Sequence, residues 1–186
     1  MTEEHTNIQK SVIEACKKGN TLAQYALYQQ YTKAMFNLAF RMVNNREDAE
    51  DMLQEAFTDA FRKLDSFRFE STFGAWLKTI VVNKCINHLR KKRMEIITDD
   101  IPEKTNWKDE EDRYNVKYDI SQVFKAIEIL PDGYRIVLTL YLLEGYDHTE
   151  ISQILNISES TSKTQYLRAR SKLKQILTGE ELKWTN

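Results

Sequence analysis

The chain has 186 residues, of which 41% are hydrophobic and 30% are charged, so its composition is neither that of a disordered chain nor that of a membrane protein. It contains five glycines and two prolines, too few turn-forming residues for the many short strands of a β-sandwich or barrel. We therefore expect an all-α protein. Cys16 and Cys85 lie in separate amphipathic segments and do not indicate a disulfide framework, and the N-terminal sequence lacks the layout of a signal peptide. A reducing, cytoplasmic location is expected.

The formal net charge is −1, but the charges are strongly segregated along the chain. Residues 71–93 contain six basic and no acidic residues, and residues 160–178 contain five basic and no acidic residues. Residues 46–59 and 94–119 are, by contrast, rich in acidic side chains. A nearly neutral chain with two basic segments is expected to present two separate basic surfaces.

Hydrophobic periodicity predicts four helices before residue 93. A long second helix is expected to start at Asn20 or Thr21 and to run through Met42 to a turn at Asn44-Asn45. The clearest apolar stripe follows over residues 49–64, where steps of three and four alternate. The series from Phe73 to Leu89 predicts a fourth helix, which ends in the basic run HLRKKR. Phe73 and Trp76 lie on its apolar stripe and are expected in the core.

Apolar periodicity stops after the fourth predicted helix. Residues 94–117 are dominated by acidic side chains, so this stretch is predicted to be a flexible linker. Four more helices are predicted after it. We therefore divide the chain into an N-terminal domain of residues 1–93, an acidic linker of residues 94–117 and a C-terminal domain of residues 118–186.

The last two predicted helices form a helix-turn-helix pattern. Asp147 and Glu150 make a capping box, Asn156 tolerates the left-handed conformation of a tight turn, and Ser158 is the expected N-cap of the last helix. Such a helix fits the major groove of DNA, where its first turns reach base edges and nearby Arg and Lys side chains neutralise phosphates. The alternative is an ordinary helical hairpin with a solvated basic face.

Two stretches carry a resemblance to a known family. The stretch YDHTEISQILNISESTSKTQYLRARSKL resembles the region-four helix-turn-helix of extracytoplasmic-function sigma factors, and DAEDMLQEAFTDAFRKLDSFRFESTFGAWLKTIVVNKCINHLRKKR resembles their region two. The resemblance implies two small helical domains, a four-helix region-two bundle and a four-helix region four, joined by a flexible acidic linker. It also implies a dissociable subunit that binds core RNA polymerase, directs it to specific promoter DNA, promotes promoter melting and is controlled by an anti-sigma factor.

The predicted third helix carries a candidate protein-binding face. Asp51, Gln54 and Glu55 are spaced i, i+3 and i+4 and therefore share one side of this helix. The resemblance implies that this side docks on the coiled coil of the largest polymerase subunit. A solvated acidic face is the alternative.

Residues 67–73 combine aromatic, basic and small polar side chains next to a basic helix. This chemistry suits an unstacked base, which offers a face for stacking and an edge for hydrogen bonds. The resemblance implies that the loop holds a flipped base of the minus-ten element, although Phe69 stands where the family commonly has glycine. The cations at the end of the fourth helix are assigned to duplex phosphates, or alternatively only complement the helix dipole. The predicted minus-ten set is Phe67, Arg68, Phe69, Glu70, Ser71, Asn83, Lys84, Arg90 and Lys91.

The last helix is the candidate reader of the minus-thirty-five element. Its predicted contacts are Thr161, Lys163, Thr164, Leu167 and Arg168. Ser160-Thr161-Ser162 replaces the Gly-Thr-Val usual in the family, and Gln165 replaces a common arginine. We expect Ser162 to weaken a core contact of this helix.

No enzymatic constellation is found in the sequence. The three histidines are scattered, no Cys or His pair has metal-ligand spacing, and there is no Gly-rich phosphate loop. We therefore expect no catalytic residue, metal or cofactor. The alternative function is a stand-alone helix-turn-helix regulator whose N-terminal domain senses a ligand or dimerises.

Overall fold

A computed structural model describes residues 3–95 and 119–179, and every regular element in those two ranges is helical. The chain separates into two compact units, Met1–Lys92 and Arg93–Asn186. The predicted all-α fold with two small helical domains is confirmed. The first two residues of the predicted linker, 94 and 95, belong to the helix that ends at Glu95. Residues 96–117 of the predicted linker lie outside the described residues.

Residues 3–95, which make up the described part of the N-terminal unit and the end of its last helix, form four α-helices, α1 Glu3–Lys17, α2 Thr21–Val43, α3 Arg46–Arg62 and α4 Phe73–Glu95. A 3₁₀ turn, Leu64–Ser66, follows α3. Asparagine side chains start the second and third helices: Asn20 Oδ1 accepts the amide N–H of Ala23, and Asn45 Oδ1 accepts that of Asp48, both at 3.0 Å. The helix boundaries are therefore fixed by local capping.

The predicted apolar stripe of α3 forms the centre of this unit. Its buried members on the helix are Ala49, Met52, Leu53, Ala56, Phe57 and Ala60. The pattern was less reliable for α2, where Leu22 is 79% exposed and Tyr25 is 58% exposed. Leu22 precedes the buried Leu27 by five residues, which places the two about 140° apart around a helix of 3.6 residues per turn.

The start of α4 lies close to α2. A Cβ atom on Gly74 would lie 2.8 Å from Cε1 of Tyr31, so only glycine permits this approach without movement of the tyrosine ring. Phe73 is buried and its ring centroid lies 5.3 Å from that of Tyr31. Phe73 is thus a core residue, as predicted, whereas Trp76 is only partly buried.

In the C-terminal unit, residues 119–179 form four further α-helices, α5 Ile120–Glu128, α6 Asp132–Leu138, α7 His148–Leu155 and α8 Glu159–Thr178. A π-helical segment, Thr139–Leu143, continues α6. Its core contains Ile127, Leu130, Leu138 and Ala169. Arg135 is also buried, and it donates to the carbonyl oxygen of Leu130 at 2.9 Å and to the carboxylate of Asp132 at 2.6 Å. The buried charge is therefore paired.

The predicted helix-turn-helix is present in α7 and α8. Asp147 Oδ1 accepts the amide N–H of Glu150 at 2.7 Å, and Glu150 Oε2 accepts that of Asp147 at 2.8 Å, which completes the capping box. Asn156 ends α7 with φ 56° and ψ 49°, the left-handed conformation expected for the turn. Ser158 Oγ accepts the amide N–H of Thr161 at 3.0 Å and caps α8.

Candidate nucleic-acid and protein interfaces

The acidic side of α3 is a surface, as the spacing predicted. Its predicted protein-binding residues, Asp51, Gln54 and Glu55, are all exposed. Gln54 also borders a shallow groove of about 280 Å³ that is lined by Tyr28, Thr32, Phe36, Arg46, Glu50, Leu53 and Gln54. Within the groove, Arg46 Nε donates to Glu50 Oε1 at 2.9 Å. The surface therefore combines carboxylates, an amide and aromatic edges, a composition suited to a protein partner.

A lysine of α4 joins two acidic residues of α3. Lys84 Nζ lies 3.0 Å from Glu55 Oε2 and 3.0 Å from Asp59 Oδ2. Hydrogen bonds to Glu55 and Asp59 raise the pKa of Lys84, and the bond from Lys84 lowers the pKa of Asp59. The sequence analysis assigned Glu55 to a protein interface and Lys84 to DNA, and it did not predict that they pair with each other.

A second contact between the same helices lies near the end of α4. Asp48 Oδ2 is 3.2 Å from His88 Nε2 and 3.1 Å from Lys92 Nζ. Burial raises the pKa of Asp48, but the hydrogen bond from Lys92 and the neighbouring His88 outweigh it, so the pKa of this carboxyl is lowered overall. Two residues of the basic run, His88 and Lys92, thus connect α4 to α3. Arg90 and Lys91 of the same run are exposed.

The segment between the 3₁₀ turn and α4 contains the predicted base-binding loop. Three of the five loop residues predicted to contact DNA are exposed, namely Arg68, Glu70 and Ser71. Phe67, which was predicted to contact DNA, is only 3% exposed. Its ring packs against Phe69, Phe73 and Trp76, with centroids 4.9, 5.9 and 5.2 Å away. Phe67 is therefore a core residue that supports the loop from below.

One side of α4 continues the surface of this loop. Asn83 and Arg90 are exposed and spaced i and i+7, and the exposed Asn87 lies between them at i+4. Asn87 was missed by the sequence analysis, although its spacing from Asn83 could have indicated it. This side of α4 presents two amides and a guanidinium in a line.

The predicted base-reading residues of α8 divide into two groups. Three are exposed, namely Thr161, Lys163 and Thr164. Leu167 and Arg168 are partly buried, and the Nε atom of Arg168 is buried with no hydrogen-bond partner among the described residues. Lys163 Nζ lies 2.6 Å from Glu159 Oε1, so its charge is paired along the helix. The start of α8 is the more accessible part.

Ser162, which was expected to weaken a core contact, lies at a core position and makes a polar contact there. Ser162 is fully buried, and its Oγ lies 2.9 Å from Nδ1 of His148 on α7. The His148 ring stacks on Tyr141 with centroids 4.4 Å apart and meets Tyr166 at 5.7 Å. Burial and the charge of Lys163 lower the pKa of His148. A polar pair therefore joins the two helices of the motif.

Several large apolar side chains of the C-terminal unit face outward. Ile120 and Ile129 are 72% and 68% exposed, and Leu142 of the π-helical segment is 54% exposed. Apolar side chains at such exposure favour contact with another protein when they cluster. Ile120 belongs to the apolar pattern that predicted α5, but that pattern did not show that the Ile120 side chain lies outside the core.

Over residues 3–95 and 119–179, no helix combines the length and the apolar character needed to cross a membrane. The same two ranges contain no group of three or more His, Cys, Asp or Glu side chains placed to hold a metal ion.

Comparison with known proteins identifies both units. Residues 27–95 match the family model of Sigma-70 region 2, and residues 120–173 match that of Sigma-70 region 4. The chain is 32% identical to the ECF RNA polymerase sigma factor SigW of Bacillus subtilis, over 90% of this chain and 96% of that protein. It is 31% identical to the ECF RNA polymerase sigma-E factor of Escherichia coli, over 91% of this chain and 93% of that protein.

Solved structures share the fold. The sigma factor RpoE of Bartonella quintana, in complex with the anti-sigma factor NepR, matches with a TM-score of 0.56 at 23% identity, over 84% of this chain and 98% of that one. CnrH in complex with the cytosolic domain of CnrY matches with a TM-score of 0.55 at 23% identity, over 93% and 99%. With both sigma regions in order and relatives matched along nearly their whole length, the chain belongs to the ECF RNA polymerase sigma factors.

Proposed function

We propose that this sigma factor binds core RNA polymerase through the exposed side of α3 and contacts promoter DNA at two places. The observation that carries the proposal is the arrangement of three exposed surfaces on two helical units. These are the acidic side of α3, the loop and outer side of α4, and the start of α8. Each surface offers the chemistry that its proposed ligand requires.

Docking on polymerase is assigned to Asp51, Gln54 and Glu55. All three side chains are exposed on one helix, and Gln54 lies at the edge of the groove between α2 and α3. Carboxylates on a rigid helix can pair with basic residues of a partner and guide its approach. The groove beside them gives an apolar contact that a solvated acidic face alone would lack.

Promoter opening is assigned to Arg68, Phe69, Glu70 and Ser71 of the loop together with Asn83 of α4. Phe67 is left out of this set because its side chain is buried. Unstacking a base costs a few kcal/mol, and stacking, hydrogen bonds and phosphate contacts made only with the open strand can offset that cost. Arg90 and Lys91 are assigned to nearby phosphates. Lys84 can join them only if its bonds to Glu55 and Asp59 are exchanged for phosphate contacts.

Recognition of the upstream element is assigned to α8. Thr161, Lys163 and Thr164 are exposed in its first turns, where a helix in the major groove reaches base edges. Among them we assign Lys163 to a phosphate. Leu167 and Arg168 follow one turn later and are partly buried, and we assign them to a base pair.

The function needs no covalent chemistry, and we propose a cytoplasmic transcription initiation factor rather than an enzyme. We also propose regulation by an anti-sigma factor. The solved relatives with this fold are described in complexes with NepR, an anti-sigma factor, and with the cytosolic domain of CnrY. In this chain, the exposed Ile120, Ile129 and Leu142 supply apolar side chains that a protein partner could cover.

Run-off transcription with purified core polymerase tests the proposal. Promoter-dependent transcripts are expected only when the chain is added. Tight binding to a duplex operator without polymerase, together with no transcripts, would instead indicate a stand-alone helix-turn-helix regulator.

A further inference from the structure

The last turn of α1 contacts the base-binding loop at two points. Lys17 Nζ donates to the backbone carbonyl oxygen of Phe67 at 3.0 Å, across fifty positions of sequence. The same atom lies 4.9 Å from the ring centroid of Phe69. The Lys17 side chain is only 18% exposed, so these contacts are partly shielded from water. Charge-assisted hydrogen bonds and cation–π contacts both strengthen when they are shielded.

The loop has an unusual backbone that requires such support. Phe69 has a φ of 60°, a left-handed conformation that is unfavourable for a bulky side chain and easy for glycine. Its ring packs on the buried ring of Phe67 at 4.9 Å, and a second ammonium, Lys10 Nζ, lies 5.6 Å from its centroid. Strained backbone persists only where surrounding contacts hold it in place.

The two contacts of Lys17 lie on both sides of Arg68. Lys17 holds the carbonyl group that precedes Arg68, and it also contacts the ring that stands between Arg68 and Glu70. The two contacts therefore restrain the backbone from which these exposed side chains project. The lysine itself does not need to touch DNA for this effect.

We infer that Lys17 is a positioning residue for promoter opening, which holds the loop of residues 67–71 in the shape that receives the extruded base. The inference rests on the proposed role of this loop. It adds a functional residue from α1, a helix that lies outside the matched region-two segment of residues 27–95. Nothing in the local sequence around Lys17 distinguishes it from its neighbour Lys18.

Lys17→Met is the informative variant, because it keeps the length of the side chain and removes the charge and the donor. Lys17→Arg keeps both, and Lys18→Met is the matched control at an exposed neighbouring position. Each variant is assembled into holoenzyme. We then measure binding to the closed duplex promoter, binding to a single-stranded minus-ten oligonucleotide, and permanganate reactivity of unpaired thymines.

We expect Lys17→Met to weaken oligonucleotide binding and opening by about tenfold, the effect of losing one charge-assisted hydrogen bond. Closed-promoter binding should be unchanged, Lys17→Arg should restore opening, and Lys18→Met should behave as wild type. Positioning also predicts an unchanged salt dependence of oligonucleotide binding. A slope reduced by about 0.7 would instead show a direct phosphate contact and overturn the inference.

Two further variants separate the possible failures. If Asn83→Ala impairs opening and Lys17→Met does not, the loop function stands and the inference is wrong. If neither variant impairs opening, the proposed loop function fails, and the inference fails with it. Should Lys17→Met lower the thermal midpoint, Lys17→Gln replaces it, since glutamine removes the charge but leaves a polar side chain at this partly exposed position. Wild-type opening by Lys17→Gln would then refute the inference.

Discussion

Lys84 Nζ on α4 lies 3.0 Å from Oε2 of Glu55 on α3, although the two residues are 29 positions apart in the sequence. The contact links a residue assigned to polymerase with a residue assigned to promoter DNA. Because Glu55 is 56% exposed, the pair contributes little to folding, about 0–1 kcal/mol. Its main consequence is that a substitution at either position changes the charge available at the other.

Polymerase docking should depend on the acidic side of α3. We expect Asp51→Arg combined with Glu55→Arg to abolish co-purification with core polymerase, because both substitutions reverse charges at the proposed contact. Helicity should be retained, and the free energy of unfolding should fall by no more than about 1 kcal/mol.

Lys84→Met is the matched control for this double variant. It removes the same ion pair and leaves the carboxylate of Glu55 in place, so co-purification should persist. Undiminished co-purification of the double variant would show that α3 is not the docking helix.

Asn83 and Phe67 should behave differently although the sequence placed both at the DNA. Asn83 is exposed, so Asn83→Ala should leave unfolding unchanged and reduce permanganate reactivity in the open complex. A pre-melted promoter should not restore opening fully, because the base contact itself is lost. Phe67→Ala should lower the free energy of unfolding by about 3–5 kcal/mol, as expected for truncation of a buried aromatic ring.

These two measurements discriminate between a surface role and a core role. Wild-type permanganate reactivity in Asn83→Ala would remove this residue from the site. A wild-type free energy of unfolding in Phe67→Ala would contradict its burial.

The hydrogen bond between Ser162 and His148 should stabilise the helix-turn-helix. Ser162→Ala leaves the Nδ1 of the partly buried His148 without this partner and should destabilise the C-terminal unit by about 0.5–1.5 kcal/mol. A double-mutant cycle with His148→Phe isolates the pairwise energy. Strictly additive losses would show that the two side chains do not interact.

The same histidine should make the stability of this unit depend on pH. Its pKa in the folded chain is below the ordinary value of 6.5, so the unfolded chain binds the proton more readily. The contribution of the neutral His148 side chain to the stability of this unit is therefore complete above pH 6.5, and it declines as the pH falls towards the folded pKa. Lys163, Glu159 and Asp147 supply the charges that act on it, and burial has the largest effect.

Hydrogen exchange of the α7 and α8 amides measures this change without requiring the two units to unfold together. Corrected for intrinsic exchange, protection in the wild type should fall as the pH is lowered below 6.5. His148→Gln should flatten that profile. Equal profiles for the two proteins would exclude His148 as the titrating group.

The exposed and partly buried residues of α8 should affect promoter binding in different ways. Lys163→Ala should reduce the log–log salt slope of holoenzyme binding by about 0.9, the effect of one lost phosphate contact. Arg168→Ala should instead narrow discrimination at one base pair by about 1–3 kcal/mol. If Lys163→Ala leaves the salt slope unchanged and Arg168→Ala leaves the base discrimination unchanged, α8 is not the helix that recognises the promoter element.

The features that could be predicted from the sequence are those that depend on neighbours a few residues apart. The alternating steps of the α3 stripe, the capping box of Asp147 and Glu150, and the left-handed Asn156 are all encoded within one or two helical turns. Side-chain spacing and capping chemistry act over that distance, so they can be read directly from the chain. Two stretches that resemble sigma regions two and four, in the family's order, also allowed the family to be predicted from the sequence.

Which side chains those helices bring together depends on how the helices pack in the tertiary structure. Phe67 had the composition of a base-binding loop residue, and it is buried because α4 folds back over it. Lys84 meets Glu55 and Lys17 meets Phe67 across 29 and 50 positions. Helix periodicity fixes which residues share a face, but it carries no information about the facing helix. The packing of the helices therefore determined these contacts, and with them the division between core and surface.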